Sequence, residues 1–216
     1  MSDATTPERG RRARPLRGVG GLSRAELDAA RDRLLPDLLV PGMKVVFCGV
    51  NPGLTTAVRG HHFAGPGNRF WPALALAGFT PRVLPPEREG ELRGWRLGLT
   101  NLVARPSRGI DELTPEEYTE GAELLRAKVR KWEPEWLAML GVTAYRAAFG
   151  VRGARVGPQD AAIGGTRVWL LPNPSGRNAH WTLAALAEEY ARLREAAGLP
   201  DLSGSESGTT GPPAAR

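Results

Sequence analysis

Asn51 and Asn173 each stand where an apolar run breaks into a turn bearing proline and glycine. Val45, Val46, Phe47, Cys48, Gly49 and Val50 lead into Asn51-Pro52-Gly53; Val168, Trp169, Leu170 and Leu171 lead into Pro172-Asn173-Pro174-Ser175-Gly176. A buried strand that ends this way points its last side chain and several backbone N–H groups out of the carboxyl edge of a sheet, where open α/β folds place ligands. Two such turns describe one cleft with two lips. The groups on those lips are amides, hydroxyls, an aromatic ring and backbone donors. They can hold a neutral heterocycle and position a water molecule, but they include no strong general base, so they suit a reaction whose leaving group is already good. The chain has no phosphate-binding Gly-x-x-x-x-Gly-Lys loop, no Gly-x-Gly-x-x-Gly after a strand, no Gly-x-Ser-x-Gly elbow and no His-Glu-x-x-His, which removes the commonest nucleotide and hydrolase readings.

The elements that must position these turns alternate between strand and helix. Strands are expected at 43–49, 97–103, 137–140 and 167–171. Ser23 with Glu26 forms a capping box for a helix to about Leu35, closed by Pro36 and by Pro41-Gly42. Asn68 caps a helix through Ala77, and a short helix follows near 86–93. Thr114-Pro115-Glu116-Glu117 opens a helix to Trp132, with an N-cap, proline at the first position and glutamate three residues on. A turn at Gly141 begins a helix through Phe149, residues 150–165 form a glycine-bearing excursion, either a loop or a hairpin, and 180–197 carries apolar residues at helical spacing. This alternation implies a mostly parallel sheet covered on both faces.

With 216 residues, one domain of ordinary size is expected, running over 21–199, with a disordered basic arm at 1–20 and a disordered tail at 200–216. Cys48 is the only cysteine, which excludes an intrachain disulfide framework and a four-cysteine metal site. His61, His62 and His180 lack companions at ligand spacing, so neither a metal nor a cofactor is expected, and Phe70 and Trp71 read as core. No run of about 18 apolar residues offers a membrane span, and a cytoplasmic, monomeric protein is expected. The net charge is +6, carried mostly by arginine, which favours planar contact with phosphate. Asp and Glu are absent from 38–86 and from 161–187, the two windows that hold the turns. Carboxylate-free lips suit a bound phosphate backbone, because each acid there would repel it.

Gly49-Val50-Asn51-Pro52-Gly53-Leu54, Phe63, Asn68-Arg69-Phe70-Trp71 and Leu171-Pro172-Asn173-Pro174-Ser175-Gly176 closely resemble the bacterial mismatch-specific uracil-DNA glycosylases, relatives of thymine-DNA glycosylase. The resemblance spans roughly 41–197 and includes the phrase from Leu99 to Pro106. It implies a three-layer α/β/α fold with a short, mostly parallel central sheet. It also implies a monofunctional DNA glycosylase that flips uracil, thymine or ethenocytosine from a mispair with guanine in double-stranded DNA and hydrolyses the N-glycosidic bond in base excision repair. On this resemblance Asn51 holds the attacking water. Val50, Gly53, Phe63, Thr56 and Asn173 surround the base, with Phe63 stacked on it and backbone donors near Val50 and Phe63 stabilising the departing anion. Gly176, Arg177 and Asn178 form the wedge that enters the duplex; relatives commonly carry leucine and serine where Arg177 and Asn178 stand. A noncatalytic lesion-binding module and a free-nucleoside hydrolase are the competing readings.

Overall fold

The computed structural model describes residues 21–204; the basic arm at 1–20 and the tail beyond 204 lie outside them. Five strands form one sheet: β1 (Val45–Gly49), β2 (Leu97–Asn101), β3 (Trp136–Leu140), β4 (Gly157–Ile163) and β5 (Thr166–Leu171). Their spatial order is β2-β1-β3-β5-β4, parallel throughout except for the β4/β5 hairpin. The excursion at 150–165 therefore contributes a fifth strand. β4, at one edge, has exposed residues at most of its positions, and so it lacks the largely apolar run that marks the other four strands.

Side-chain alternation divides the sheet between two cores. Val45, Phe47, Trp136, Ala138, Leu140, Trp169 and Leu171 face one of them, where α3 (Phe70–Leu76) and α6 (Leu183–Ala196) cover the sheet through Phe70, Leu74, Leu186, Tyr190 and Leu193. Val46, Cys48, Leu137, Met139, Val168 and Leu170 face the other, covered by α4 (Pro115–Trp132) and α5 (Val142–Phe149) through Leu125, Val129 and Tyr145. Period-two patterning thus builds the three-layer α/β/α sandwich. Cys48 is buried in the second core, and burial pushes its thiol pKa up, which leaves it an inert packing residue.

Several boundaries differ from the sequence reading. The first helix, α1, spans only Arg24–Asp28, although its Ser23/Glu26 capping box forms; it buries no side chain, and a helix without an apolar face docked on the core lacks the packing that would extend it. A helix not anticipated, α2 (Leu54–Arg59), starts directly after the first Asn-Pro turn, with Gly53 as its N-cap and no side-chain cap. A 3-10 helix spans Pro86–Trp95. Asn68 Oδ1 accepts the Phe70 N–H at 2.9 Å, one residue ahead of the N-cap proper, Arg69. The α4 capping box on Thr114 and Glu117 forms as the sequence implies. Residues 200–204 follow α6 with contacts of their own: Leu202 N–H reaches Gly78 O at 2.9 Å, and Arg194 faces Asp201.

Candidate active site

Asn51 lies just beyond the carboxyl end of β1, and its side-chain amide is held by a neighbouring loop. Nδ2 donates to Ser107 Oγ at 2.7 Å, to Arg105 O at 3.0 Å and to its neighbour Pro52 O at 3.3 Å. Two of these partners are carbonyls, which only accept, so the nitrogen must face them and Oδ1 must face away. No described group donates to Oδ1. The loop is fixed in turn. Gly53 and Ser107 make a parallel bridge, with Ser107 N–H to Pro52 O at 3.0 Å and Leu54 N–H to Ser107 O at 3.1 Å. Ser107 is buried, and its hydroxyl donates to Gly109 O at 2.7 Å. The Arg105 guanidinium forks onto Glu117 at 2.6 and 2.9 Å, and that hydrogen bond, with one from Thr114 N–H, brings the Glu117 carboxyl down to about 2. The capping glutamate of α4 thereby braces the loop that orients Asn51.

Beside Asn51, β1 ends at Gly49, paired in register with Asn101 of β2. A Cβ at Gly49 would lie 2.6 Å from Asn101 Oδ1 and 3.2 Å from the Phe63 ring, so glycine is what lets an amide and an aromatic edge meet at this point. Phe63 is half-buried and stacks on Phe70, with ring centroids 4.0 Å apart. Its backbone is left-handed, φ 56°, at a cost of about 1–3 kcal/mol. Glu89 holds the residue before it: one oxygen accepts the His62 N–H at 2.8 Å and contacts His62 Nδ1 at 3.1 Å, and the other meets His61 Nδ1 at 3.1 Å. Hydrogen bonds to a charged group contribute about 1.5–3 kcal/mol each, enough to offset that strain. Burial, the largest single influence, acts to raise the Glu89 carboxyl, yet the bonds from His62 and His61 prevail and leave it below its ordinary value.

The remaining predicted residues fall around this point. Val50 is buried; its carbonyl accepts from Val103, and its methyl faces Gly141. Thr56 is buried on α2, with its hydroxyl close to both Gly53 and Gly65. Phe70 and Trp71 are core residues. Asn173 begins the second lip: Oδ1 accepts the Ser175 N–H at 2.9 Å, its carbonyl accepts Asn178 Nδ2 at 2.9 Å, and its own Nδ2 lies toward Gly141. Asn178 is thus turned into its own loop. Gly176 sits against the first lip, where a Cβ would come 2.8 Å from Gly67 O. Arg177 is the exposed tip, with its side chain 74% accessible and 3.9 Å from Asp111.

Two acids correct the expectation of carboxylate-free lips. Glu89 reaches the first lip from the 3-10 helix, and Asp111 faces the second from the turn at Ile110–Glu112. Sequence windows miss both because the fold brings them in from elsewhere in the chain. Asn101, Ser107 and Arg69 are polar residues to which sequence reasoning gave no role, although Arg69 and Asn101 stand within the phrases that carry the resemblance. A cavity of about 300 Å3 lies behind Pro52, between Asp37, Lys128 and Asn101, and is lined by neither Asn51 nor Phe63. Among the described residues, no group of three or more His, Cys, Asp and Glu could hold a metal ion, and no helix is long and apolar enough to cross a membrane.

The fold matches the solution NMR structure of a "putative Uracil DNA glycosylase" from Methanosarcina acetivorans with a TM-score of 0.55 at 19% identity, over 76% of this chain and 96% of that one. The model of the Uracil DNA glycosylase superfamily matches residues 36–196, which take in both Asn-Pro turns and all five strands. That model spans well over half of the chain, and the chain belongs to the uracil DNA glycosylase superfamily.

Proposed function

We propose that this protein is a monofunctional DNA glycosylase that removes uracil mispaired with guanine from double-stranded DNA, acting as a monomer without a cofactor. The observation that carries the reading is the fixed carboxamide of Asn51, whose nitrogen is consumed by Arg105, Ser107 and Pro52. The oxygen left over is an acceptor suited to orienting one water molecule. An amide oxygen is too weak a base to deprotonate water before attack, so bond breaking runs ahead of bond making. The glycosidic bond stretches, the sugar takes on oxocarbenium character, the base leaves as an anion, and the water held by Asn51 adds to the anomeric carbon and gives up a proton to solvent, from which the uracil anion takes one in turn. Uracil suits this route because its anion is delocalised over an imide.

The base must leave the stack to reach the slot, and a mispaired base costs less to extrude than a paired one. Once flipped, it would lie against the exposed part of the Phe63 face, with the Asn101 carboxamide, a donor and an acceptor side by side, presented to its imide edge. Val50 and Gly53 supply backbone at the slot, Thr56 and Asn173 shape its surroundings, and Gly176, Arg177 and Asn178 form the turn that enters the gap, with Arg177 able to stack and to donate. Thymine and ethenocytosine are the further bases to rank. The test is base release from duplexes carrying uracil, thymine or ethenocytosine opposite guanine, under single-turnover conditions. Alkali-labile sites appearing fastest at uracil are expected. Binding to such duplexes without cleavage would leave a lesion-binding module, and release from free deoxyuridine alone would make the protein a nucleoside hydrolase.

A further inference from the structure

The second lip carries no strand or helix between the end of β5 at Leu171 and the start of α6 at Leu183, yet its backbone oxygens converge on one side chain. Arg69, at the N-terminus of α3, donates its backbone N–H to Pro174 O at 2.9 Å. Its Nε reaches the same carbonyl at 3.4 Å, Nη1 reaches Trp181 O, and Nη2 bridges Ser175 O and Asn178 O, each at 2.8 Å. Those last two residues flank Gly176 and Arg177. One nitrogen therefore sets the distance across the base of the exposed tip, and the same guanidinium ties the loop's two ends to the first lip. The contact is reinforced by the close approach of Gly176 to Gly67 O, which leaves no room for a side chain between the lips. Among the described residues Arg69 has no carboxylate partner, so its donors are given over to this loop.

We propose that Arg69 is a positioning residue that sets the height and angle at which Arg177 meets the duplex, so that flipping depends on it although it touches neither base nor sugar. This rests on the glycosylase reading above. A planar fork with five donors in fixed directions can hold several carbonyls at once; a lysine ammonium, with three donors on one point, cannot span them. The charge is conserved on replacement by lysine, and the geometry is not.

Arg69→Lys, Arg177→Ala and the two changes combined would be compared with the unaltered protein on a uracil–guanine duplex. The measurements are single-turnover uracil release and the rise in fluorescence of a 2-aminopurine placed beside the uracil, which reports unstacking. Arg69→Lys should lower both by about tenfold while Arg177 is present, and by less than about twofold once Arg177 is alanine, because the two residues act through one turn. Full additivity in the double variant, no loss from Arg69→Lys, no loss from Arg177→Ala, or an Arg69→Lys protein that does not fold would each overturn the proposal. Failure of the glycosylase reading is seen separately, as an unaltered protein that releases no uracil, and the fluorescence arm then still reports on Arg69.

Discussion

The two Asn-Pro turns share a dipeptide and a place at the sheet edge, yet they use opposite halves of the same carboxamide. At Asn51 the nitrogen is bound by Arg105, Ser107 and Pro52, leaving the oxygen to accept; at Asn173 the oxygen is bound by Ser175 N–H, leaving the nitrogen to donate. The first turn is braced from outside by the loop after β2, which is anchored in turn by Glu117 of α4. The second is braced from within, by Ser175 and Asn178, and from the first lip by Arg69. The same Asn-Pro dipeptide therefore leaves an acceptor oxygen in one place and supports a protruding tip in the other. The difference lies in which atom the surroundings leave unpaired.

The comparison predicts a graded set of losses. Asn51→Ala removes the acceptor and should slow uracil release about 100-fold, the scale of a misplaced reactant, while duplex affinity stays close to that of the unaltered protein; activity above about a tenth of normal would mean that another group holds the water. Aspartate distinguishes the two turns directly. Asn51→Asp puts an oxygen against the Arg105 carbonyl and should lower the free energy of unfolding by about 1–3 kcal/mol. Asn173→Asp keeps the acceptor that Ser175 uses and should change it by less than about 0.5 kcal/mol. Equal shifts in urea midpoint would show that the amide orientations do not differ as described.

Ser107→Ala takes one of the Asn51 nitrogen's partners and should reduce the single-turnover rate by up to about tenfold, equivalent to one hydrogen bond of ~1.4 kcal/mol. An unchanged rate would leave Arg105 O as the sufficient anchor. The smallest effect is one of pH. Because the folded Glu117 carboxyl is depressed from 4.5 to about 2, the stability it contributes through Arg105 is fully present above 4.5 and is lost as pH falls from there through about 2. The gap in urea midpoint between the unaltered protein and Glu117→Gln should therefore be flat near neutrality and close on acidification; a gap that widened in acid would reverse the sign argued here.

β1, β2, β3 and β5 were legible because their residues are almost all buried, which writes them as largely apolar runs, and α4 was legible because its cap and glutamate satisfy orphan backbone donors locally. The half-exposed β4 was legible only as part of a glycine-bearing excursion or hairpin, and α2, six residues with no side-chain cap, carries too little local signal to stand out. The family resemblance pointed to Asn51, Phe63 and the Gly176 to Asn178 turn, but gave no sign that Asn178 Nδ2 donates to Asn173 O within that turn. The acid-free windows in the chain likewise gave no warning of Glu89 and Asp111, which approach from segments outside those windows.

Hydrophobic patterning, backbone capping and turn chemistry act between near neighbours, so residue order alone determined the parallel α/β sandwich, the two Asn-Pro lips and the family to which they belong. Which atom of the Asn51 carboxamide is left unpaired, what brings Asn101 and Phe63 together at Gly49, and how Arg69 joins the lips were decided only by packing. For Asn51 and Arg69 the hydrogen-bond partners stand about 50 to 110 positions away in the chain and meet only after the sheet has formed.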